Sequence, residues 1–520
     1  MTVTGIEDRS LGETIENNAR WYAKRLAISC GGKELTHEGF ADRCRRLGSG
    51  LAKLGLRHQD RVGVLAENCI EYYEVYGAAE VAGFVLATVN YRLAAPEMNY
   101  IINDAAPSAL IFESGYSDYV ATIRDMRDGP AHFICIGPDC PEWASPYEEI
   151  VAAGDGDGAP FRARGADIAY LIYTSGTTGR PKGCMLGHSN QIGSAHMTAL
   201  HMRYGCEDRT QIVMPVYHIG AKNIQLAAHW TGGGVYLERA FRPEPALESI
   251  ARNRITVGHM APTMIQMLLE VSSFETYDIS SLRMILYSAA PMPLPLLREG
   301  IRRIGPVFAQ MYGQTEALGT ILPIEMHRPD GDEDDLRRLA SIGHPYAGVR
   351  MSCIGEDDVP SRPGEPGEIC IQGLCTMRGY WNSSAATVET LRDGWVRTGD
   401  VGMVDHEGYF HLLDRKKDMV ISGGENIYSR EVEAAISEHP DVGDVAVIGL
   451  PDEKWGEAVT AVIVRRHDVS VEAIVEHSRS LIAGYKTPRH VFFVDEMPRL
   501  PSGKINKVEL RQRFKDRPLR

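Results

Sequence analysis

No two of the ten cysteines stand in a CxxC pair, and neither of the closer pairs, Cys135/Cys140 and Cys370/Cys375, is flanked by the paired histidines of a zinc site. Free thiols in a reducing compartment are the expectation. Long hydrophobic runs are missing too: nowhere do about 18 apolar residues follow one another, and the opening "MTVTGIEDRSLGETIENN" has neither a basic start nor an apolar centre. A cytoplasmic protein with no membrane span is therefore expected. A basic excess is also lacking. Lys+Arg number 55 against 69 Asp+Glu, a net charge of -14, which argues against nonspecific nucleic-acid binding. Any anionic ligand has to be drawn in by local charge.

The 520 residues suffice for two to four domains at about 100–200 residues each. Residues 36 to 57 read as an amphipathic helix, with Phe40, Cys44, Leu47, Leu51 and Leu54 at three- and four-residue steps. To about residue 340, strand-like runs (Val62–Leu65, Gly83–Val89, Ala109–Phe112, Ile212–Met214, Met284–Tyr287) alternate with helical stretches, the pattern of stacked α/β units with mainly parallel sheets. After residue 343 short alternating segments suit small antiparallel strands and a barrel-like part. The texture changes again at "LLDRKKDMV". Beyond it, two strands in "DVAVIGLPDEKWGEAVTAVIV" and a helix near Val471–Ile482 suit a small α+β domain. The predicted class is α/β: a large N-terminal domain of stacked α/β subdomains with a small barrel-like part, then a small C-terminal domain.

Five segments carry chemistry. "YTSGTTGRPKG" sets Thr174, Ser175, Gly176, Thr177, Thr178, Gly179 and Lys182 behind the apolar run Ile168–Ile172. Glycines admit close backbone approach, hydroxyls and amides donate, and the lysine adds charge, so the loop reads as a polyanion cradle. It is not the common GxxxxGK loop, because Pro181 opposes a continuous helix there. In "MYGQTEA", Tyr312 could stack on a base, Thr315 contact phosphate and Glu316 hold a hard cation, although a strand end with an acidic helical first turn fits the same letters. "RTGD" places Asp400 where a carboxylate could accept from a ribose diol, or simply close a hairpin. "DRKKDMVISGGENI" sets a basic-acidic knot before the Gly423-Gly424 turn and by itself passes as a solvated linker, and "LPSGKINK" presents Lys504 on a loop that could swing over another domain or simply face solvent, as lysines near a chain end usually do. His218 ends the apolar run in "VMPVYHIGAKN", where a packed or capping histidine is the commoner case.

Together and in this order, these segments resemble the core motifs of the adenylate-forming superfamily: acyl-CoA synthetases, aryl-CoA ligases, luciferases and peptide-synthetase adenylation domains. The resemblance runs from about residue 10 to about residue 510. It implies that a carboxylic acid and ATP form an acyl-adenylate, which CoA then converts to a thioester, with Mg²⁺ as cofactor. Residues 174 to 182 would wrap the ATP phosphates. Ser288, Ala289 and Ala290 would lie beside the adenine, together with Tyr312, Gly313, Gln314 and Thr315. Asp400 and Arg415 would hold the ribose, Glu316 the metal. Lys504 would complete adenylation, and His218 would lie between the acyl pocket and the thiol's entry. Residues 1–413 would form the AMP-binding domain, 414–418 a hinge pivoting on Lys417, and 419–520 a mobile domain that brings Gly423 and Gly424 to the pantetheine arm. Ser288 stands where many members carry glycine.

The acid is expected to be hydrophobic or modestly functionalised, since "HIGAKN" has no aspartate to grip an amino group; Lys222 and Asn223 either read a distal group as polar pocket residues or face solvent, and solvent is the expectation. Loading of a carrier protein, luciferase-like oxygenation and non-catalytic nucleotide binding are the rival readings. Self-association into a homo-oligomer is compatible with all of them.

Overall fold

The computed structural model describes residues 8–124, 129–174, 180–290, 292–355, 357–452, 454–500 and 504–515. It contains two compact units, residues 1–351 with 371–397, and residues 352–370 with 398–520.

Two large sheets organise the first unit, and both are parallel at their centres. In the seven-stranded sheet, Arg61–Leu65 lies between Val85–Thr88 and Ala109–Glu113, all parallel. These strands are buried along nearly their whole length, because helices cover both faces; hence the continuous apolar runs in the sequence. The sheet's last strand, Lys182–Gly187, returns antiparallel against Ile168–Thr174. The nine-stranded sheet contains the neighbouring parallel strands Arg209–Ile212, Val257–Met260, Met284–Tyr287 and Phe308–Gly313, then turns antiparallel at Leu318–Leu322. A five-stranded sheet of short strands between Val349 and Arg415 answers the barrel-like part expected after residue 343.

The helix expected over 36 to 57 spans His37–Lys53, capped by Thr36, whose hydroxyl accepts from the Gly39 amide at 3.1 Å. Its stripe of Phe40, Cys44, Leu47 and Leu51 packs on the helix Ile70–Ala82, which is buried on nearly every side. The two helices approach closely at Gly77, where a Cβ would meet Cys44 Sγ at 2.3 Å. The run expected as a strand at Ile212–Met214 is displaced: the strand is Arg209–Ile212, and the chain leaves the sheet at Val213 to approach the helix Ile219–Trp230.

In the second unit Val442–Asp452 pairs antiparallel with Gly456–Arg465, which pairs parallel with His490–Val494. Both faces are covered. Val445 and Val447 join Val432, Ile436 and Ile474 from two helices, while the alternate residues Ala446 and Ile448 join Leu510 and Phe514 from a third, Lys507–Phe514. Period-two alternation between two apolar faces explains why these strands read as hydrophobic throughout. Among the described residues no helix is long and apolar enough to cross a membrane.

Candidate active site

In the first unit, the carboxyl ends of four neighbouring parallel strands converge on one sheet edge, the place where open α/β sheets take ligands. Beyond Arg209–Ile212 comes His218. At the end of Val257–Met260 stands His259, opposite Ile212 on one side and Leu286 on the other. Ser288 to Ala290 follow Met284–Tyr287, and Tyr312 to Thr315 close Phe308–Gly313. His218 precedes the first turn of Ile219–Trp230 with an extended backbone; its ring lies 4.4 Å from that of Tyr217. Ala289 holds φ +71, a left-handed conformation that costs a side-chain-bearing residue roughly 1–2 kcal/mol and is kept where surroundings over-determine it. Tyr312 is half-buried, and Gly319 makes room for it: a Cβ there would come within 2.9 Å of the ring.

Ser175, Gly176, Thr177, Thr178 and Gly179 lie outside the described residues; their flanks do not. Thr174 and Lys182 face each other across the antiparallel pair that brackets the loop. The Lys182 ammonium sits 5.1 Å from the centre of the Tyr380 ring, and the Tyr380 hydroxyl donates to Glu316 Oε1 at 2.7 Å. The Met377 amide donates to the Glu316 carbonyl at 2.8 Å, and Cys184 Sγ lies 3.6 Å from the Thr315 carbonyl. The strand Lys182–Gly187 and the "GQTE" turn are thus joined through Tyr380. Burial, and then the Glu316 carboxylate, push its hydroxyl pKa well up, so the phenol stays a donor. Tyr380 was absent from the candidates read in sequence. Its only signal there is an aromatic pair, "GYWN", in an otherwise polar stretch.

Lys222 and Asn223 correct the expectation of solvent exposure. Lys222 is 1% exposed, with its ammonium 2.5 Å from Glu80 and 2.6 Å from Gln225 Oε1 and stacked 4.4 Å over the Tyr76 ring. Desolvation lowers its pKa against the opposing pull of Glu80. Asn223 is buried and donates to Thr198 Oγ1 at 2.9 Å. The helix carrying them is enclosed, so its polar residues had to find partners inside.

In the second unit, Asp400 is 3% exposed and pairs with Arg415 Nε at 3.0 Å, directly across the strands Trp395–Val404 and Phe410–Arg415. Gly399, at φ +69, turns the backbone just before it. Lys504 shares this electrostatic neighbourhood. Its pKa is lowered first by desolvation, then by Arg415, with Lys417 and Arg430 adding to the shift and Asp400 opposing it, although the residue as a whole keeps an exposed surface. Lys417 is exposed, and its carbonyl accepts from Arg511 at 3.3 Å. Asp414, just before it, accepts from the Ser429 hydroxyl at 3.1 Å, which in turn accepts from Lys507 at 2.7 Å. Gly423 and Gly424, at φ +63 and +85, form the two-residue turn between Val420–Ser422 and Glu425–Ile427. Positive φ at both positions is what a type I′ hairpin demands, and it explains the Gly-Gly pair.

Residues 15–381 match the model of the AMP-binding enzyme family, and residues 431–504 match that of the AMP-binding enzyme C-terminal domain. The chain belongs to the AMP-binding enzymes. It is 35% identical over 512 residues to a feruloyl-CoA synthase of Amycolatopsis, covering 98% of this chain and all of that one. An indoleacetate–CoA ligase of Aromatoleum aromaticum is 34% identical, with 96% and 98% of the two chains covered. Among solved structures, ATP-bound MatB from Rhodopseudomonas palustris superposes with a TM-score of 0.88 at 29% identity, over 98% of this chain and 99% of that one. For this AMP-binding enzyme the mixed α/β architecture read from the sequence is therefore the family's own.

Proposed function

We propose that the protein is an AMP-forming acid–CoA ligase: a carboxylic acid attacks the α-phosphorus of ATP, pyrophosphate leaves, and the CoA thiol takes the acyl group from AMP. The observation that carries this reading is end-to-end similarity to CoA ligases by a chain that has Lys182, Glu316, Asp400, Arg415 and Lys504 in its motif segments. The chemical difficulty is electrostatic. Bringing two unit negative charges to about 4 Å costs on the order of 4 kcal/mol at an effective dielectric near 20. Lys182 and Lys504 supply the cations that offset it, chiefly as charge develops in the transition state. Asp400 accepts from the ribose hydroxyls, with Arg415 fixing its carboxylate. Tyr312 to Thr315 hold the adenine, with Ser288 to Ala290 beside it.

Glu316 fits a magnesium ion. Tyr380 donates to Oε1, and among the described residues Oε2 has no hydrogen bond, so it could take a hard cation, which characteristically uses one or two protein carboxylates and completes its shell with phosphate and water. Bound there, the ion would supply charge neutralisation at the phosphates. The protein's part is to hold that carboxylate in place.

Thioester formation needs the adenylation lysine out of the thiol's path. Asp400 precedes Lys417 in the chain and Lys504 follows it, so rotation at Lys417 separates the pair, exchanging the Asp414–Ser429 contact for another arrangement and bringing Gly423 and Gly424 toward the pantetheine arm with His218 near the thiol's route. Lys417→Pro, which locks φ near −65°, is expected to retain ATP–pyrophosphate exchange while lowering overall thioester formation at least about tenfold. A variant with the normal overall rate would remove the pivot.

The function itself is tested by incubating the protein with ATP, Mg²⁺, CoA and a panel of aliphatic and aromatic acids, reading products by mass spectrometry. Acyl-CoA, AMP and pyrophosphate in equal amounts are expected. Acyl-AMP that accumulates whether or not CoA is present would point to another acceptor, and absence of pyrophosphate with every acid would end the ligase reading.

A further inference from the structure

His259 Nε2 lies 2.8 Å from Ser288 Oγ, and His259 is 1% exposed. Neither residue's interaction follows from the sequence motifs, and His259 belongs to none of them. Burial pushes the imidazole pKa down to about 4, so at neutral pH the ring is uncharged and carries a single N–H. Its Nδ1 is buried without a hydrogen-bond partner among the described residues. An orphaned N–H is rarer and costlier in protein interiors than an orphaned acceptor, so the proton belongs on Nε2. Nε2–H then donates to Ser288 Oγ. The serine hydroxyl hydrogen is left free to point away from His259, and Ser288 is half-buried rather than sealed.

The position of this couple decides what it meets. His259 and Ser288 stand at the carboxyl ends of adjacent parallel strands, and a Cβ on Gly220, two residues beyond His218, would lie 3.5 Å from His259 Cε1. The couple therefore forms wall between the first turn of the His218 helix and the Ser288–Ala290 turn. Among the described residues no charged group perturbs His259: the imidazole is neutral, and Lys222, the one lysine on that helix, is already paired with Glu80. A second carboxylate on the acid would be bound poorly here. So would plain hydrocarbon, which would cover the serine hydroxyl without replacing its bond to water.

We propose that Ser288 is a specificity-determining residue whose hydroxyl, oriented by His259, donates to an uncharged oxygen of the acid, so that the enzyme selects acids bearing a hydroxyl, ether or keto oxygen over hydrocarbon acids of the same skeleton. Ser288 touches the acid and His259 is its positioning residue. This rests on the ligase reading above and adds the substrate class to it.

The test compares kcat/KM for pyrophosphate release with matched acids: cinnamic acid against its 2-, 3- and 4-hydroxy forms, and octanoic acid against 3-hydroxy- and 8-hydroxyoctanoic acid. In the unaltered protein at least one oxygenated acid is expected to exceed its parent by about ten- to hundredfold. Ser288→Ala should bring that ratio to near one. His259→Phe should move it the same way, whereas His259→Gln, whose amide can still donate to the serine, should keep part of it. A ratio reads selectivity alone, since a change in ATP binding or general packing alters both acids together. The idea is overturned if no oxygenated acid is preferred by the unaltered protein, or if the ratio survives in Ser288→Ala. Should that variant fail to fold, the unaltered protein and His259→Gln still decide. Pyrophosphate release from none of the acids would instead overturn the ligase reading, and the selectivity with it.

Discussion

Replacing Lys504 with alanine is expected to slow acyl-AMP formation by about 10²–10³-fold while leaving thioester formation from supplied acyl-AMP within about a few-fold of normal. The size follows from the work its ammonium does: offsetting roughly 4 kcal/mol of repulsion per unit charge pair corresponds to about a thousandfold in rate. The asymmetry follows from the chemistry, because only in the first half-reaction does an anion attack a negatively charged phosphate; in the second the thiol attacks an uncharged carbonyl carbon. Pyrophosphate exchange and thioester formation, measured separately, check it; equal loss in both would refute the role. A pH profile adds a second reading. Desolvation and the cations Arg415, Lys417 and Arg430 lower the pKa of Lys504 in the free protein. The charged form is the active one, so kcat/KM for adenylation should fall as pH rises through that lowered pKa, earlier than an ordinary lysine would allow.

Lys222→Met is expected to destabilise the first unit by about 3–5 kcal/mol, because it leaves the Glu80 carboxylate buried and uncompensated. Glu80 and Lys222 are 2% and 1% exposed at the side chain, so neither charge has water to fall back on. Removing both charges together, as Glu80→Gln with Lys222→Met, should recover most of the loss, since a buried ion pair is often replaced by apolar groups at little net cost. Thermal melting of both single variants and the double variant forms the cycle that isolates the coupling. Single variants within about 1 kcal/mol of the parent protein would show that the pair is hydrated in solution. An effect on activity is also expected. The Tyr170 hydroxyl donates to Glu80, and Tyr170 lies on the strand leading to Thr174, whereas Lys222 lies on the helix that begins just after His218. The ion pair ties the strand Ile168–Thr174 to the helix behind His218.

What the sequence by itself determined was local and ordered. Hairpin chemistry at Gly423-Gly424, continuous apolar strands covered on both faces, and five spaced family motifs were legible because each depends on neighbouring residues: a turn on its φ angles, a strand on its period, a motif on its own run of residues. Tertiary structure decided the rest. Lys222 follows His218 by four residues and looked like a solvated position, but its partner Glu80 is 142 residues away, and a helix enclosed on all sides has no polar face to betray it. Tyr380 reaches Glu316, Asp400 meets Arg415 by strand register, and His259 finds Ser288 across two parallel strands. Side-chain pairing between distant segments is fixed by how strands align and helices pack, and no property of either segment alone carries that information.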